Sequence, residues 1–155
     1  MQHLAIFASG AGSNARKIIE YFQPNPEVRV ALIVSNKKEA KVLELAAEYE
    51  IPSVVLNRAK FYETEGFLEE LSRHQVDFIV LAGFLWLIPP YLVRAFPRRI
   101  VNIHPALLPK FGGKGMYGQQ VHEAVKAAGE TESGITIHYV NERYDEGAII
   151  FQARC

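Results

Sequence analysis

An amide and an imidazole stand two residues apart at Asn102 and His104, and Pro105 follows them directly. In an extended strand, residues i and i+2 point to the same face, so both side chains are expected on one side. Pro105 has no backbone donor and disfavours helix at the preceding residue, which predicts that His104 ends a strand. Because ligands bind at the carboxyl ends of strands in open α/β sheets, this spacing predicts a polar site there.

A carboxylate that could serve this imidazole is Asp145, in a polar turn between two apolar segments. Such a partner can orient a histidine and favour its charged form, as in acyl-transfer sites. The residues leave a second interpretation open, in which Asp145 is a solvated turn residue. In that case Asn102 would be a hydrogen-bonded residue and His104 a surface residue at the end of a strand, without a catalytic role.

Two common kinds of chemistry are not predicted around His104. No Cys, Asp or Glu stands at metal-ligand spacing from it, which argues against a zinc site. No serine stands in a G-x-S-x-G turn, so the serine nucleophile of an acyl-enzyme hydrolase is missing. Polarisation of a carbonyl group without covalent attachment remains as the predicted chemistry.

A glycine-rich loop, Ser9-Gly-Ala-Gly-Ser-Asn14, joins an apolar segment to a helical one. Glycines let a phosphate approach bare N–H groups at the start of a helix, so Gly12, Ser13 and Asn14 are candidate phosphate ligands. A tight strand–helix turn is the alternative. Independently of this choice, Ser13 or Asn14 is expected to cap the helix that follows.

The same loop also fits a dinucleotide fingerprint, but the acidic residue that binds the ribose is replaced by Ser35-Asn-Lys-Lys38. That disfavours NAD, leaves a phosphorylated dinucleotide as an alternative, and favours a monophosphate ester.

A second loop stays apolar where a loop is usually polar. Its residues are Phe84, Leu85, Trp86, Leu87 and Ile88. Such a lining suits a flat aromatic ligand held by backbone amides and apolar walls, and core packing under a short helix is the alternative. His138, on a later strand, could line the same cleft or serve packing or the surface.

Hydrophobic runs alternate with amphipathic stretches along the chain. Strands are predicted at 3–8, 28–34, 51–56, 78–82, 100–103, 134–140 and 148–153, and helices from 13 and at 38–48, 61–74, 90–96 and 119–128. The rhythm predicts an α/β fold with a doubly wound, mostly parallel, Rossmann-like sheet. The last two strands, joined by a loop alone, are expected to form an antiparallel edge, and the whole chain, 1–155, to form a single domain.

Composition restricts the partners. The 155 residues are 49% hydrophobic and 22% charged with zero formal net charge, which argues against nucleic-acid or membrane binding. One cysteine excludes an internal disulfide, and no apolar run reaches the ~20 residues of a membrane span. We therefore expect a cytoplasmic protein that holds anions by local geometry.

Four segments resemble the phosphoribosylglycinamide formyltransferase family of folate-dependent formyltransferases. They are Ser9-Gly-Ala-Gly-Ser-Asn14, Leu81-Ala-Gly-Phe84, Asn102-Ile-His-Pro-Ala-Leu-Leu-Pro109 and Asp145-Glu-Gly-Ala-Ile-Ile150. The resemblance implies the formyltransferase fold and transfer of a formyl group from 10-formyltetrahydrofolate to the amine of glycinamide ribonucleotide in purine biosynthesis, without a metal.

The resemblance also implies roles for residues. Asn102, His104 and Asp145 match the catalytic trio, and Gly12, Ser13 and Asn14 match the phosphate loop. The folate-binding positions are matched by Phe84, Leu85, Trp86, Leu87, Ile88, Asn102, Val140 and Asp145. The substrate amine would attack the formyl carbon, while Asn102 and a protonated His104 would stabilise the developing oxyanion.

The chain departs from the family in three places. We expect that it lacks the family's C-terminal strand and helix. Thr64 stands where some relatives place an arginine for the folate glutamate tail. The loop 112–118, with Lys114, is either a mobile lid or a plain connector. A homodimer is compatible with the resemblance, although no residue pattern specifies it.

Other functions also share parts of this pattern. A formyltetrahydrofolate deformylase and a methionyl-tRNA formyltransferase share the Asn-x-His-Pro core, but each would carry an extra domain. A non-catalytic dinucleotide-binding module is the alternative from another class.

Overall fold

The computed structural model describes residues 1–104, 134–140 and 149–154. Its strands are β1 (Gln2–Phe7), β2 (Val28–Ser35), β3 (Ser53–Val55), β4 (Phe78–Leu81), β5 (Ile100–His104), β6 (Gly134–Tyr139) and β7 (Ile149–Arg154). Its helices are α1 (Ser13–Phe22), α2 (Lys41–Glu48), α3 (Arg58–Glu63), α4 (Phe67–Arg73) and α5 (Pro90–Ala95). The predicted helix at 119–128, the loop 112–118 with Lys114, and Asp145 lie outside the described residues.

All seven strands form one sheet in the order β3-β2-β1-β4-β5-β6-β7. The pairs from β3 to β5 are parallel, whereas β5–β6 and β6–β7 are antiparallel. The predicted fold, a doubly wound and mostly parallel sheet with an antiparallel edge, is therefore confirmed. The winding reverses between β1 and β4, and such a switch point opens a crevice at the carboxyl ends of these two strands.

Residues of the central strands alternate between two buried layers, with one irregularity in β2 between Val30 and Leu32. On one face Phe7, Val34 and Leu81 pack with Phe61 of α3 and Leu71 of α4. On the other face, residues of the same strands pack with α1 and α2; these are Leu4, Ile6, Val30 and Ile33. Burial on both faces explains why the strands read as continuous apolar runs rather than as alternating patterns.

The single helix predicted at 61–74 is wrong, because the structure has two short helices there. α3 begins at Arg58, where the Asn57 side chain caps the Lys60 N–H, and ends before Thr64, whose backbone is extended. The Thr64 hydroxyl donates to the Lys60 carbonyl and accepts from the Gly66 N–H at 3.2 Å. These local bonds satisfy the backbone at the break, which a hydrophobic pattern does not reveal.

The proposed side-chain cap of α1 is also wrong. Gly12 occupies the N-cap position at φ +78°, and no side chain caps the helix there. Ser13 and Asn14 belong to the first turn, and both are exposed. Within the described part of the chain, no helix has the length and apolar character needed to cross a membrane.

Candidate active site at the carboxyl edge of the sheet

The strand register brings the predicted segments to one edge of the sheet. Phe7 of β1 lies beside Leu81 of β4, Leu81 beside Asn102 of β5, and Asn102 opposite His138 of β6. The glycine loop starts two residues after Phe7, and the apolar loop starts three residues after Leu81. With strands ~4.8 Å apart, all of these lie within a few strand spacings of Asn102.

The glycine loop is shaped by its contact with α2. The Val42 N–H donates to the Gly10 carbonyl at 3.1 Å. A Cβ atom on Gly12 would lie only 2.8 Å from the Val42 Cγ2 atom, so no side chain fits there. The positive φ of Gly12 also favours glycine, and the exposed Ser13 and Asn14 follow it at the start of α1. The loop therefore presents backbone and small polar groups to solvent.

The apolar loop 84–88 divides its side chains between two environments. Phe84 and Ile88 are buried in the core, and the Phe84 ring meets the Phe7 ring edge-on at 5.3 Å. Trp86 is half-buried against α3, where the Arg58 guanidinium lies 5.2 Å from its ring centroid. Core packing thus accounts for these three side chains, whereas Leu85 and Leu87 are half-buried between them.

Hydrogen bonds hold the backbone of this loop. The Tyr62 hydroxyl donates to the Leu87 carbonyl at 2.6 Å, and the Ser9 hydroxyl accepts from the Leu85 N–H at 2.9 Å. The Ser9 N–H in turn donates to the Gly83 carbonyl at 3.1 Å. Sequence analysis did not single out Ser9 or Tyr62. A local sequence pattern does not reveal their roles, because Tyr62 and Ser9 bond to residues that are 25 and 76 positions away along the chain.

His138 is buried against Asn102, with 2% of its surface exposed. Its Nδ1 lies 3.0 Å from the Tyr139 carbonyl oxygen, which can only accept, so Nδ1 donates. Nε2 is then the acceptor for the Asn102 amide at 3.1 Å. Of the roles considered for His138, a surface role is wrong, since this imidazole contacts Asn102 and fixes the orientation of its amide.

The remaining site residues are placed as follows. His104 is the last residue of β5, as the proline at position 105 predicted. It pairs with Thr136 of β6, and its side chain lies outside what the structure describes. Val140 donates its N–H to the Ile100 carbonyl at 2.9 Å and packs against the core. Thr64 is exposed at the end of α3. Among the described residues, no group of His, Cys, Asp and Glu side chains could hold a metal ion.

Three cavities lie at the opposite end of the strands from the candidate site. Their volumes are about 320, 640 and 560 Å³, and they are lined by residues near the amino ends of strands, among them Met1, Val28 and Asp77. The candidate site is therefore located by topology and polar contacts rather than by the volume of these cavities.

The chain is similar to known proteins of one family. The profile of the formyl transferase family matches residues 2–155. The chain is 49% identical to a chloroplastic phosphoribosylglycinamide formyltransferase of Arabidopsis thaliana, over 97% of this chain and 53% of that protein. It is 41% identical to phosphoribosylglycinamide formyltransferase of Bacillus subtilis, over 98% of this chain and 78% of that protein.

A solved structure extends the likeness to the fold. The crystal structure of phosphoribosylglycinamide formyltransferase from Bacillus halodurans superposes with a TM-score of 0.87 and 39% identity, over 99% of this chain and 79% of that one. The chain spans about half the length of the two plant proteins that it matches. The family profile, the bacterial relative and the shared fold together show that this chain belongs to the formyl transferase family.

Proposed function

We propose that this chain carries out phosphoribosylglycinamide formyl transfer, moving a formyl group from 10-formyltetrahydrofolate to the amine of glycinamide ribonucleotide in purine biosynthesis. The observation that carries the proposal is the register that runs from Phe7 through Leu81 and Asn102 to His138. This register brings the uncharged glycine loop, the apolar loop and the polar end of β5 close together at one switch point. The names of the relatives at 49% and 41% identity support the same activity.

We assign the substrate phosphate to Gly12, Ser13 and Asn14. Gly12 itself is buried against Val42, and its positive φ shapes the turn from which the exposed Ser13 and Asn14 follow at the start of α1. N–H groups in the first turn of a helix favour an anion through their partial positive charge. Phosphate binding by this loop therefore requires no lysine or arginine.

We assign the pterin of the folate to the backbone of residues 84–88 and to the Leu85 and Leu87 side chains. Phe84 and Ile88 are buried in the core, so they would support the loop rather than contact a ligand directly. The resemblance adds Val140 and Asp145 to the same site. Of these two, Val140 donates its N–H to the Ile100 carbonyl and is half-buried against the core.

The reaction itself needs stabilisation of charge on the formyl oxygen. The amine nitrogen attacks the formyl carbon, a C–N bond forms, and an oxyanion develops. Asn102 and a protonated His104 would donate to that oxygen, and one such donor is typically worth roughly 3 kcal/mol. Asp145 would favour the charged imidazole and pass the amine proton through water to the folate nitrogen as its bond to carbon breaks.

The test replaces each proposed catalytic residue by alanine and measures formyl transfer to glycinamide ribonucleotide. Asn102→Ala, His104→Ala and Asp145→Ala should each lower kcat by about a hundredfold or more, by analogy with the loss of an oxyanion donor. His74→Ala is the matched control, since His74 pairs with Glu70 on α4, away from the site, and should leave turnover unchanged. Near-native turnover in any of the three variants would remove that residue from the mechanism.

The same assay separates the alternatives. Release of formate without glycinamide ribonucleotide would indicate a deformylase. Tight NADPH binding in calorimetry, with no folate-dependent product, would indicate a dinucleotide-binding module. Formyl transfer to initiator tRNA instead of glycinamide ribonucleotide would indicate the tRNA enzyme.

The remaining expectations stay predictions. Activity should survive dialysis against a chelator, since we propose no metal. Size-exclusion chromatography with light scattering will show whether the protein is a homodimer, and fractionation will test the cytoplasmic location. The two plant relatives are described as chloroplastic, which makes location a property to be measured for this chain.

A further inference from the structure

Ser9 joins three loops at the carboxyl edge of the sheet. It follows β1 closely, and only 5% of its surface is exposed. Its hydroxyl donates to the Asn36 Oδ1 atom in the loop after β2, and accepts from the Leu85 N–H in the loop after β4. One side chain thus links segments that are 27 and 76 residues away along the chain.

The directions of these bonds are fixed by chemistry. A backbone N–H can only donate, so the Ser9 oxygen is the acceptor for Leu85. The hydroxyl hydrogen is then directed to the Asn36 oxygen, and each bond polarises the other. Ser9 also begins the loop that leads to Gly12 and Ser13, while Leu85 lies in the loop assigned to folate.

We propose that Ser9 is a positioning residue that couples the phosphate loop to the folate loop, so that binding of one substrate favours binding of the other. The inference rests on the proposed function. A substrate that orders the loop after β4 fixes Leu85, and Leu85 fixes the Ser9 hydroxyl and the start of the phosphate loop. The second substrate then meets a loop that is already ordered, which appears as positive coupling between the two sites.

A purely structural role makes a different prediction. If Ser9 only stabilised the fold, its loss would lower the melting temperature and leave the mutual effect of the two ligands intact. The quantity that distinguishes the two roles is the Kd of one ligand alone divided by its Kd in the presence of the other ligand. Global stability does not distinguish them.

The experiment measures, by calorimetry, the Kd of glycinamide ribonucleotide with and without saturating tetrahydrofolate, which carries no formyl group and so gives no turnover. The variant is Ser9→Ala. The matched control is Ser35→Ala, because Ser35 is fully buried at the end of β2 and its hydroxyl accepts from the Lys37 N–H. Ser35→Ala thus removes a buried hydroxyl, as Ser9→Ala does, but the hydrogen bond that it breaks lies within a single loop.

Wild type and Ser35→Ala should bind glycinamide ribonucleotide at least about fivefold more tightly when tetrahydrofolate is present. In Ser9→Ala this ratio should fall towards one. A second variant, Asn36→Ala, removes the acceptor of the Ser9 hydroxyl and should reduce the ratio in part, which keeps the test decisive if Ser9→Ala fails to fold.

An unchanged ratio in folded Ser9→Ala, or in Asn36→Ala where Ser9→Ala does not fold, would overturn the coupling role and leave the proposed function standing. A ratio of one in the wild type would do the same. If the wild type binds neither ligand, the proposed function itself fails, and this inference fails with it.

Discussion

Gly12 shows how one residue sets the shape of a whole loop. Its φ of +78° lies in the left-handed region, and a Cβ atom there would approach the Val42 Cα atom to 3.3 Å. The neighbouring Gly10 has neither constraint, because a Cβ atom on it would meet nothing within 4 Å. Two glycines of one motif therefore have different physical roles, and only Gly12 requires the absence of a side chain.

The first prediction compares these two glycines. Gly12→Ala should lower the free energy of unfolding by about 2 kcal/mol or more, since left-handed backbone costs an L-residue 1–2 kcal/mol and the contact with Val42 adds to it. It should also weaken binding of glycinamide ribonucleotide. Gly10→Ala should change stability by less than about 0.5 kcal/mol. Urea unfolding of both variants is the measurement, and equal losses would contradict the account.

Phenol hydroxyls hold the short helices α3 and α5 in place. The Tyr91 hydroxyl of α5 donates to the Phe61 carbonyl of α3 at 2.7 Å, and the Tyr62 hydroxyl of α3 donates to the Leu87 carbonyl. α3 and α5 have six residues each, too few to be stable helices in isolation. Their position over the sheet therefore depends on such contacts and on the core that they cover.

A second prediction concerns Tyr91 at high pH. Burial, followed by the charge of Glu65, raises the pKa of Tyr91 to about 12 from its ordinary value of 10.0. In the unfolded chain the phenol ionises near pH 10, so the stability that its protonated form provides is complete below pH 10. It is lost as the pH rises towards 12, by at most roughly 1.4 kcal/mol per pH unit.

Urea unfolding between pH 8 and pH 12 tests this. Tyr91→Phe should be about 1 kcal/mol less stable than wild type at pH 8, because it loses one buried hydrogen bond. The gap should narrow at high pH, since phenylalanine does not ionise. Tyr21→Phe is the control, as Tyr21 is 75% exposed. A gap that stays constant across this range would refute the role of Tyr91.

At the scale of the whole molecule, the two halves of the doubly wound sheet meet where β1 pairs with β4. Two hydrogen bonds join the amino ends of these strands. The His3 N–H donates to the Asp77 carboxylate at 2.9 Å, and the Asp77 N–H donates to the His3 carbonyl at 2.8 Å. These bonds lie at the amino ends of the strands, whereas the candidate site lies at their carboxyl ends. Their chemistry therefore concerns stability rather than catalysis.

A third prediction follows from the Asp77 carboxylate. The hydrogen bond from the His3 backbone lowers the pKa of Asp77 below its ordinary value of 3.8. A lowered pKa in the folded state gives stability that is present above pH 4 and is lost as the pH falls through the folded pKa. Asp77→Asn should therefore be less stable than wild type at pH 7 and approach it near pH 2.

Thermal unfolding across this range is the measurement. The carboxylate is 39% exposed, so the difference should be modest. Glu39→Gln, which removes an exposed carboxylate, is the control. A constant difference between Asp77→Asn and wild type from pH 7 to pH 2 would show that the charge of Asp77 is irrelevant.

The sequence by itself determined the fold class and the approximate position of most strands, because strands buried on both faces require continuous apolar runs. It also determined that Asn102 and His104 belong to a strand, since Pro105 restricts the residue before it. The family followed from motifs whose residue types are specific. These features are local, and a one-dimensional pattern records them.

Only the tertiary structure decided what depends on contacts between distant residues. The break between α3 and α4 depends on hydrogen bonds of Thr64, and the glycine at the start of α1 depends on Val42. The contact of His138 with Asn102 depends on antiparallel register, and the link from Ser9 to Leu85 spans two strands of the sheet. No periodicity reports such pairings, because they arise when separate segments pack together.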